Sequence, residues 1–486
     1  PVALSLGIGD DSATGTISVT NTGTEGLDIT VVEADSPFVL TESKGVIRSI
    51  PPGVSRILTI GLEDPPLGTL DGHLTIHSND PSVPVARVPL RAHVGENPVD
   101  EASFTAAASG PGLGDTRWSS KAFLLNPTDE DLQTDLIFRP GVGRESDSPD
   151  AGFEVPARSQ RVIQDLVRAT GAGGSGGVNL RTSGAGLVAV SRTFASGADG
   201  SYGQFIAAQG HHNALDGNTR ALLAGLSGNG GFHTNIGVLN LGPDPLSVDY
   251  RFFSTAGELL GTRQVHAQPG AFAQVVSVIS KLTGDVVVGG YATFAAADAD
   301  ALYLAYASVV DDASHDPTLV VPQVLDASST SADLVIPAVA AIPGAGGTSW
   351  RSQLDVVNTT GEPRSVTVVY TRADGTAITS MPMELQGAET LHFDDVVGGL
   401  FGETGKGWLT VTASGSGIHA TSRTYNDDAD GSYGQLIPAS GMETSTTSAG
   451  TVILPGLSSE PGFRTNLGFT SVSEVATTLT VTVYSN

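Results

Sequence analysis

The carboxylates Asp427, Asp428 and Asp430 stand just ahead of Gly431, in the stretch SRTYNDDADGSYGQLIPA (422–439). Of all the residues in the chain, their types and spacing come closest to chemistry. Ca²⁺ takes several oxygens from a tight loop, and Asp at alternating positions before Gly can supply them. The stretch 231 residues earlier, SRTFASGADGSYGQFIAA (191–208), matches it at 12 of 18 positions but keeps only Asp199 of the run. A diverged third relative, AYASVVDDASHDPTLVVP (305–322), carries Asp311, Asp312 and Asp316. A solvated Asp-Gly turn is the plainer reading of all three, with a structural calcium site as the alternative. The Ser191-Arg192 and Ser422-Arg423 pairs lack a His or Asp at a suggestive distance, and a serine nucleophile with arginine alone has no general base. Each arginine is expected to pair with an acidic loop or with backbone carbonyls of its own module.

Other motifs dissolve on inspection. Gly173, Ser175 and Gly177 fit G-x-S-x-G, but a nucleophile elbow needs a strand before it and a helix after it. Here a strand-like VNLRT follows a low-complexity glycine loop. Gly171, Gly173 and Gly176 fit a dinucleotide fingerprint without the βαβ unit that gives it meaning. The ten histidines are dispersed, with His211 and His212 in a linker, and the one H-x-x-x-H spacing, His73 and His77, falls in the strand-like GHLTIHS. Trp118, Phe232, Trp350 and Phe463 could stack on sugars. Their regular spacing on the apolar face of a first strand reads instead as core anchoring.

The elements that must position these residues are strands. Gly is 61 and Pro 27 of 486 residues, with Met at 3; this composition suits short strands joined by many turns. The aromatics just named begin four similar segments, WSSKAFLLNPTDE, FHTNIGVLNLGPD, WRSQLDVVNTTGE and FRTNLGFTSVSE, spaced 114, 118 and 113 residues apart. In the first three an Asn follows eight residues on: Asn126, Asn240 and Asn358; the fourth has Ser471. One module of about 115 residues therefore occurs four times, as internal self-similarity at a fixed period implies. The modules are 103–210, 219–324, 333–440 and an incomplete 450–486. They alternate in type: the first and third share SRT[FY] and DGSYGQ, the second and fourth share GLS and then GF[HR]TN[IL]G. Within each, alternation predicts strands at 132–139, 246–253 and 365–372, and a short helical piece at 162–170, 275–284 and 394–402. Six or seven antiparallel strands per module are expected, with limited hinges at 95–102, 209–218, 325–333 and 440–450. The fold class is thus all-β: tandem immunoglobulin-like antiparallel β-sandwiches as beads on a string, with only short helical turns.

Residues 1–96 precede the repeats. ISVTNTGTEGLDITVV (17–32) alternates on both sides of a turn and predicts a hairpin-like pair, and RILTIGL, GHLTIHS and VPVARVPLRAHV add strands. The phrases VTNTGTEGLDI, SPFVL, IPPGVSRILTI and GHLTIHSNDP…VPLRAHV resemble immunoglobulin-like domains of the ASH/HYDIN type, often found in bacterial surface proteins. The resemblance covers about 90 residues and implies a spacer or binding module without catalytic residues. The later repeats resemble tandem modules of large secreted or surface-attached proteins of environmental bacteria, on VIPAVAAIPGAGGTSWRSQLDVVNTTG, SRTYNDDADGSYGQLIPA, GFRTNLGF and LAYASVVDDASHDPT. That resemblance implies an extracellular or cell-surface location.

A net charge of −27 argues against nucleic-acid binding, which needs Lys/Arg-rich faces. No apolar run is long enough to span a membrane, and the absence of cysteine removes disulfides and thiol chemistry. The last module holds about two strands, and a lone hairpin is marginal in water. Its apolar face is expected to be covered by further sequence past Asn486, a neighbouring module, or strands of another chain, which would link subunits into a polymer. The functional expectation is a non-enzymatic extracellular structural protein, part of a bacterial surface appendage, filament, stalk or adhesin. The alternatives are a binding or accessory region of a larger secreted enzyme, and carbohydrate-binding modules.

Overall fold

The computed structural model describes residues 2–7, 14–41, 47–63, 68–81, 84–95, 100–112, 115–141, 150–197, 200–325, 333–344, 347–428, 430–441, 452–459, 463–472 and 478–484. The described regular structure is strand apart from short helical turns, arranged as sheets facing each other across separate cores and antiparallel except where Val2–Gly7 runs parallel to Val85–Gly95. The all-β, sandwich-like architecture read from the alternation is therefore what forms.

In the N-terminal domain the sheet Val2–Gly7, Val85–Gly95, Gly68–Ser78, Leu27–Ala34, Ile47–Ile50 faces Thr14–Thr20, Ser55–Leu62, Phe38–Leu40. Ile29, Phe38, Ile60 and Leu74 fill the space between them. The strands on either side of NTGTEG do not pair as a hairpin. Thr14–Thr20 pairs with Ser55–Leu62, whereas Leu27–Ala34 pairs with Gly68–Ser78 in the other sheet. The reason is Asn21, whose Nδ2 donates to the carbonyls of Glu25 and Ile50 at 2.7 Å each while its Oδ1 accepts from Gly23 N. A side chain that satisfies both the turn and the facing strand holds a corner between sheets, where a two-residue turn would have held a hairpin.

The same corner recurs in each complete repeat. Asn126 donates to Glu130 and Val155 carbonyls, Asn240 to Asp244, Ala267 and Gln268, and Asn358 to Glu362, Leu385 and Gln386. Each corner leads from an opening strand (Arg117–Asn126, Phe232–Asn240, Ser349–Asn358) into the first strand of the opposite sheet (Leu132–Pro140, Leu246–Phe253, Arg364–Arg372). The first module forms a nine-stranded sheet folded on itself, the second two five-stranded sheets, and the third a ten-stranded sheet. The expected six or seven strands fall short because pieces such as Ala377–Thr379 and Met383–Leu385 are too short to show a period. The helical pieces form as an α-turn at Leu166–Ala169 capped by Asp165, a 3₁₀ turn at Ile279–Lys281, and a π-turn at Val396–Leu400 capped by Asp395.

Two expectations change. The glycine-rich run near Ser175 is not a loop. Gly174–Thr182 is a strand, and a Cβ on Gly176 would lie 2.4 Å from the Arg139 carbonyl, on Gly177 2.7 Å from Leu239 of the second module. Its glycines permit close approach. Nor is 209–218 without regular structure: Gln209–Gly210 pairs with Asp100–Pro111 of the first module, Leu215–Asp216 with Leu302–Asp311 of the second. His211 contacts Ser103 Oγ at 2.8 Å and Glu101 Oε2 at 3.1 Å. In the fourth module the described residues adopt no strand, so the two strands expected there do not form.

Candidate functional site at the junction of three modules

The second module closes with Leu302–Asp311 and Pro317–Val320, an antiparallel pair joined by the loop Asp312–Asp316. The loop is held from within. Asp311 Oδ1 accepts from Ala313 N and Ser314 N at 2.9 and 3.0 Å, Ser314 Oγ accepts from Asp316 N, and His315 takes φ +59 with its N–H on the Asp311 carbonyl. The side chains left over point at the two SYGQ hairpins. Asp316 Oδ1 accepts from Gly203 N of the first module at 3.1 Å, and Asp316 Oδ2 from Gly434 N of the third at 2.9 Å. One carboxylate thus bridges two residues that are 231 positions apart and equivalent.

The third module adds a second set of bonds. Asp311 Oδ2 accepts from Ser432 N and Oγ at 2.9 and 2.7 Å, and Ser314 Oγ donates to the Ser432 carbonyl at 2.7 Å. Arg423 Nε donates to Thr318 Oγ1 of the second module at 3.0 Å, and its Nη2 donates to Ser432 Oγ at 2.9 Å. Arg192 makes its hydrogen bonds within its own module, donating to the Ser201 hydroxyl and carbonyl, and its guanidinium also lies 5.7 Å from the Phe463 ring. The expected pairing with a backbone carbonyl of its own module therefore forms at Arg192, whereas Arg423 bonds a hydroxyl of its own module and one of the second.

The glycine inside each hairpin strand is required by its own hairpin, where a Cβ on Gly203 would lie 2.3 Å from the Thr193 carbonyl and on Gly434 2.7 Å from Tyr425 Cβ; the loop itself covers Gly431, where a Cβ would lie 2.6 Å from Ser314 N. Burial governs the electrostatics. Asp316 is 4% exposed, and burial pushes its carboxyl up to about 6 against the opposing pull of Gly434 N–H, Arg423, Gly203 N–H and Arg192. Burial also raises Asp311, but the Ser432 hydroxyl and the loop N–H groups outweigh it and hold this carboxyl below its ordinary value.

Two cavities flank the loop. Between the first and second modules lies a cleft of about 550 Å³ lined by Trp118, Tyr202, Gln204, His233, Asn235 and Tyr306, among others. Trp118 meets Tyr202 edge-on at 6.5 Å between ring centroids. Trp118 is half-buried at this cleft rather than a core anchor. Phe232 packs against the second module's core and also lies 5.8 Å from the Arg423 guanidinium.

Between the second and third modules a polar cavity of about 230 Å³ is lined by Gln353, Asp355, Asp394, Arg423 and Tyr425, among others. There His392 donates through Nδ1 to Asp355 at 2.7 Å and through Nε2 to Asp394 at 3.0 Å. Gly289 of the second module, at φ +67, covers the pair so closely that a Cβ would lie 2.4 Å from the His392 ring. Burial alone would lower this imidazole, yet the two carboxylates outweigh it and push it up to about 9. An imidazolium with both N–H groups engaged is no general base at neutral pH. The protonated form is favoured by folding, so its stabilisation is complete below the ordinary value of 6.5 and is lost as pH rises through 9. Stability to urea is expected to fall by about 3 kcal/mol between pH 7 and 10. His392→Gln should remove that part of the slope, and an unchanged slope in the variant would refute this account of the pair.

The calcium candidates lie beside the junction. Asp427 lies in the strand Ile418–Asp428 and pairs with Arg351 at 3.6 Å, Asp430 is exposed in the hairpin turn, and the side chain of Asp428 and all of Asp199 lie outside the described residues. Among the described residues no group of three His, Asp or Glu side chains is arranged to hold a metal. Asp311 and Asp316, the relatives of that run, accept backbone N–H groups instead.

No family model and no curated protein matches this chain. Among solved structures, a protein of unknown function from Porphyromonas gingivalis W83 is similar at 14% identity and TM-score 0.18, covering 43% of this chain and 94% of its own. The CupB2 chaperone of Pseudomonas aeruginosa is similar at 15% and 0.15, covering 43% and 98%. Tripeptidyl peptidase 2 is similar at 8% and 0.17, covering 91% of this chain and 39% of its own. Likenesses at this level carry no argument about this chain, and what stands is its all-β fold and the junction built on it.

Proposed function

We propose that this chain is a non-enzymatic structural protein of the bacterial cell exterior, a part of a surface appendage, filament, stalk or adhesin. The observation that carries the reading is the Asp316 carboxylate shared between Gly203 and Gly434. Its chemistry is spent on holding three modules together, and repetition with fixed spacing suits extension and multivalent contact. Ionisable groups beside the cavities support the same reading: Asp311, Asp316 and Arg423 are engaged by neighbouring modules, and His392 by Asp355 and Asp394 of its own. Immunogold electron microscopy with antibodies to the purified chain, on cells that make it, should place the label outside the envelope on regular structures. Label confined to the cytoplasm would contradict the proposal.

The aromatic cleft favours a second reading, carbohydrate binding. Ring faces with amide side chains beside them are what a sugar needs, since apolar C–H faces stack and hydroxyls hydrogen-bond. Under this reading Trp118 fluorescence changes on titration with an oligosaccharide panel and the change is lost in Trp118→Ala. A panel without response counts against it.

A further inference from the structure

The second module sits between the first and third modules in a particular way, and residues 452–459 and 463–470 repeat that placement between the third and the first. Three correspondences at the 231-residue offset establish this. Gly225 of the second module lies against the third, where a Cβ would be 3.1 Å from Asp355 and 3.5 Å from Thr421; Gly456 lies against the first, where a Cβ would be 3.1 Å from Phe123 and 3.3 Å from Val190. Phe123 and Val190 occupy the strand positions equivalent to Asp355 and Thr421. Phe232 faces the Arg423 guanidinium at 5.8 Å, and Phe463 faces Arg192 at 5.7 Å. On the other side, Leu239 packs against Ala106 and Gly177 of the first module, while its counterpart Thr470 donates to the Pro337 carbonyl of the third at 2.7 Å. Pro337 is one position from the counterpart of Ala106 in the equivalent strand.

The local backbone is also the same. Thr234 Oγ1 donates to the Ser227 carbonyl and accepts from its N–H at 2.7 and 3.3 Å; Thr465 does the same with Ser458 at 3.0 and 3.1 Å. Residues 452–459 and 463–470 therefore carry the leading edge of a type-two module in its native shape, although they form no strands. The chemistry of the seat differs: Asp355 and its His392 partner in the third module become Phe123 and Val162 in the first.

We propose that the face of each type-one module around Arg192 or Arg423 is a receptor for the leading edge of a type-two module. In the first module residues 452–459 and 463–470 of the same chain occupy it. The modules alternate around a closed circuit with approximate two-fold symmetry, so the building block is a four-module ring rather than an open string. This goes beyond the proposed structural role and does not depend on cellular location.

The test uses the full chain with benzoylphenylalanine in place of Phe463, which is half exposed, and separately in place of Phe232 as a control. Photolysis of the Phe463 variant should join that position to peptides within 117–126 or 188–197 at monomer mass, as the control joins 232 to the third module. Arg192→Ala should lower the yield at 463 by about two- to five-fold, the effect of a lost cation–π contact, without changing the yield at 232. Mixing ¹⁵N-labelled and unlabelled protein identifies the chains joined. Isotopically mixed cross-links, or a working control with no product from 463 to the first module, would overturn the closed circuit.

Discussion

Replacing Asp316 by alanine is expected to release the first module from the third while leaving each module folded. The substitution removes the acceptor of two buried backbone N–H groups, Gly203 and Gly434. Each orphaned donor costs about 1–3 kcal/mol, so the junction should lose about 2–6 kcal/mol. The sandwich cores are separate clusters, so their own stability should change little. Differential scanning calorimetry should show one cooperative transition split into module-wise steps. Asp316→Asn should be milder, because its amide keeps one acceptor oxygen and burial already favours a neutral group at this position. The carboxyl is raised to about 6, so its contribution is complete below its ordinary 3.8 and is lost as pH rises through 6. The native junction should accordingly tighten between pH 7 and pH 5. A single unsplit transition in Asp316→Ala would show that the bridge is incidental.

The second large effect concerns the sheet corners. Asn358→Asp should unfold the third module or cost it about 4 kcal/mol or more, since a buried carboxylate facing carbonyls has no compensating partner. The Asn358 side chain is fully buried, donating to three carbonyls through Nδ2 and accepting from Thr360 N and Oγ1 through Oδ1. Aspartate is nearly isosteric but replaces the donor by an oxygen. Asn358→Ala, which only deletes the bonds, should cost about 2–4 kcal/mol. Urea unfolding followed by the fluorescence of Trp350 and Trp408, both in this module, measures the difference. Equal losses for the two variants would show that packing, rather than donor chemistry, fixes the corner.

These two sites differ in how far the sequence reveals them. The corner is local: Asn126, Asn240 and Asn358 recur at fixed distance from an aromatic, and each donates to an acidic residue's carbonyl four positions on. The same Asn-x-x-x-Glu pattern, with Glu25 as its acidic residue, stands at Asn21, where it was legible but was read as a hairpin turn. Strand alternation likewise reveals the long strands, because one face of each is buried.

The junction is not local. Asp316 reaches partners 113 and 118 positions away, and no periodicity links a loop in one module to hairpins in two others. The motif SRT…DGSYGQ drew attention to its aspartates, yet the working residues are its serine and glycine. The glycine inside both hairpin strands carries no signal of the junction, because a Cβ on Gly203 or Gly434 would meet its own hairpin, whereas the glycine that the loop covers is Gly431 of the Asp-Gly turn. Likewise Asp311, Asp312 and Asp316 resemble a diverged metal loop because oxygen-rich turns and turns that accept N–H groups share a composition.

The central claim is that the first three repeats form one rigid body fastened at Asp316. The chain lacks cysteine, so spin labels can be placed cleanly at Glu130→Cys and Glu362→Cys, exposed positions at equivalent corners of the first and third modules. Double electron–electron resonance should give a single narrow distance distribution that broadens on adding Asp316→Ala. A broad distribution in the otherwise unaltered chain would contradict the claim and return the modules to a hinged string.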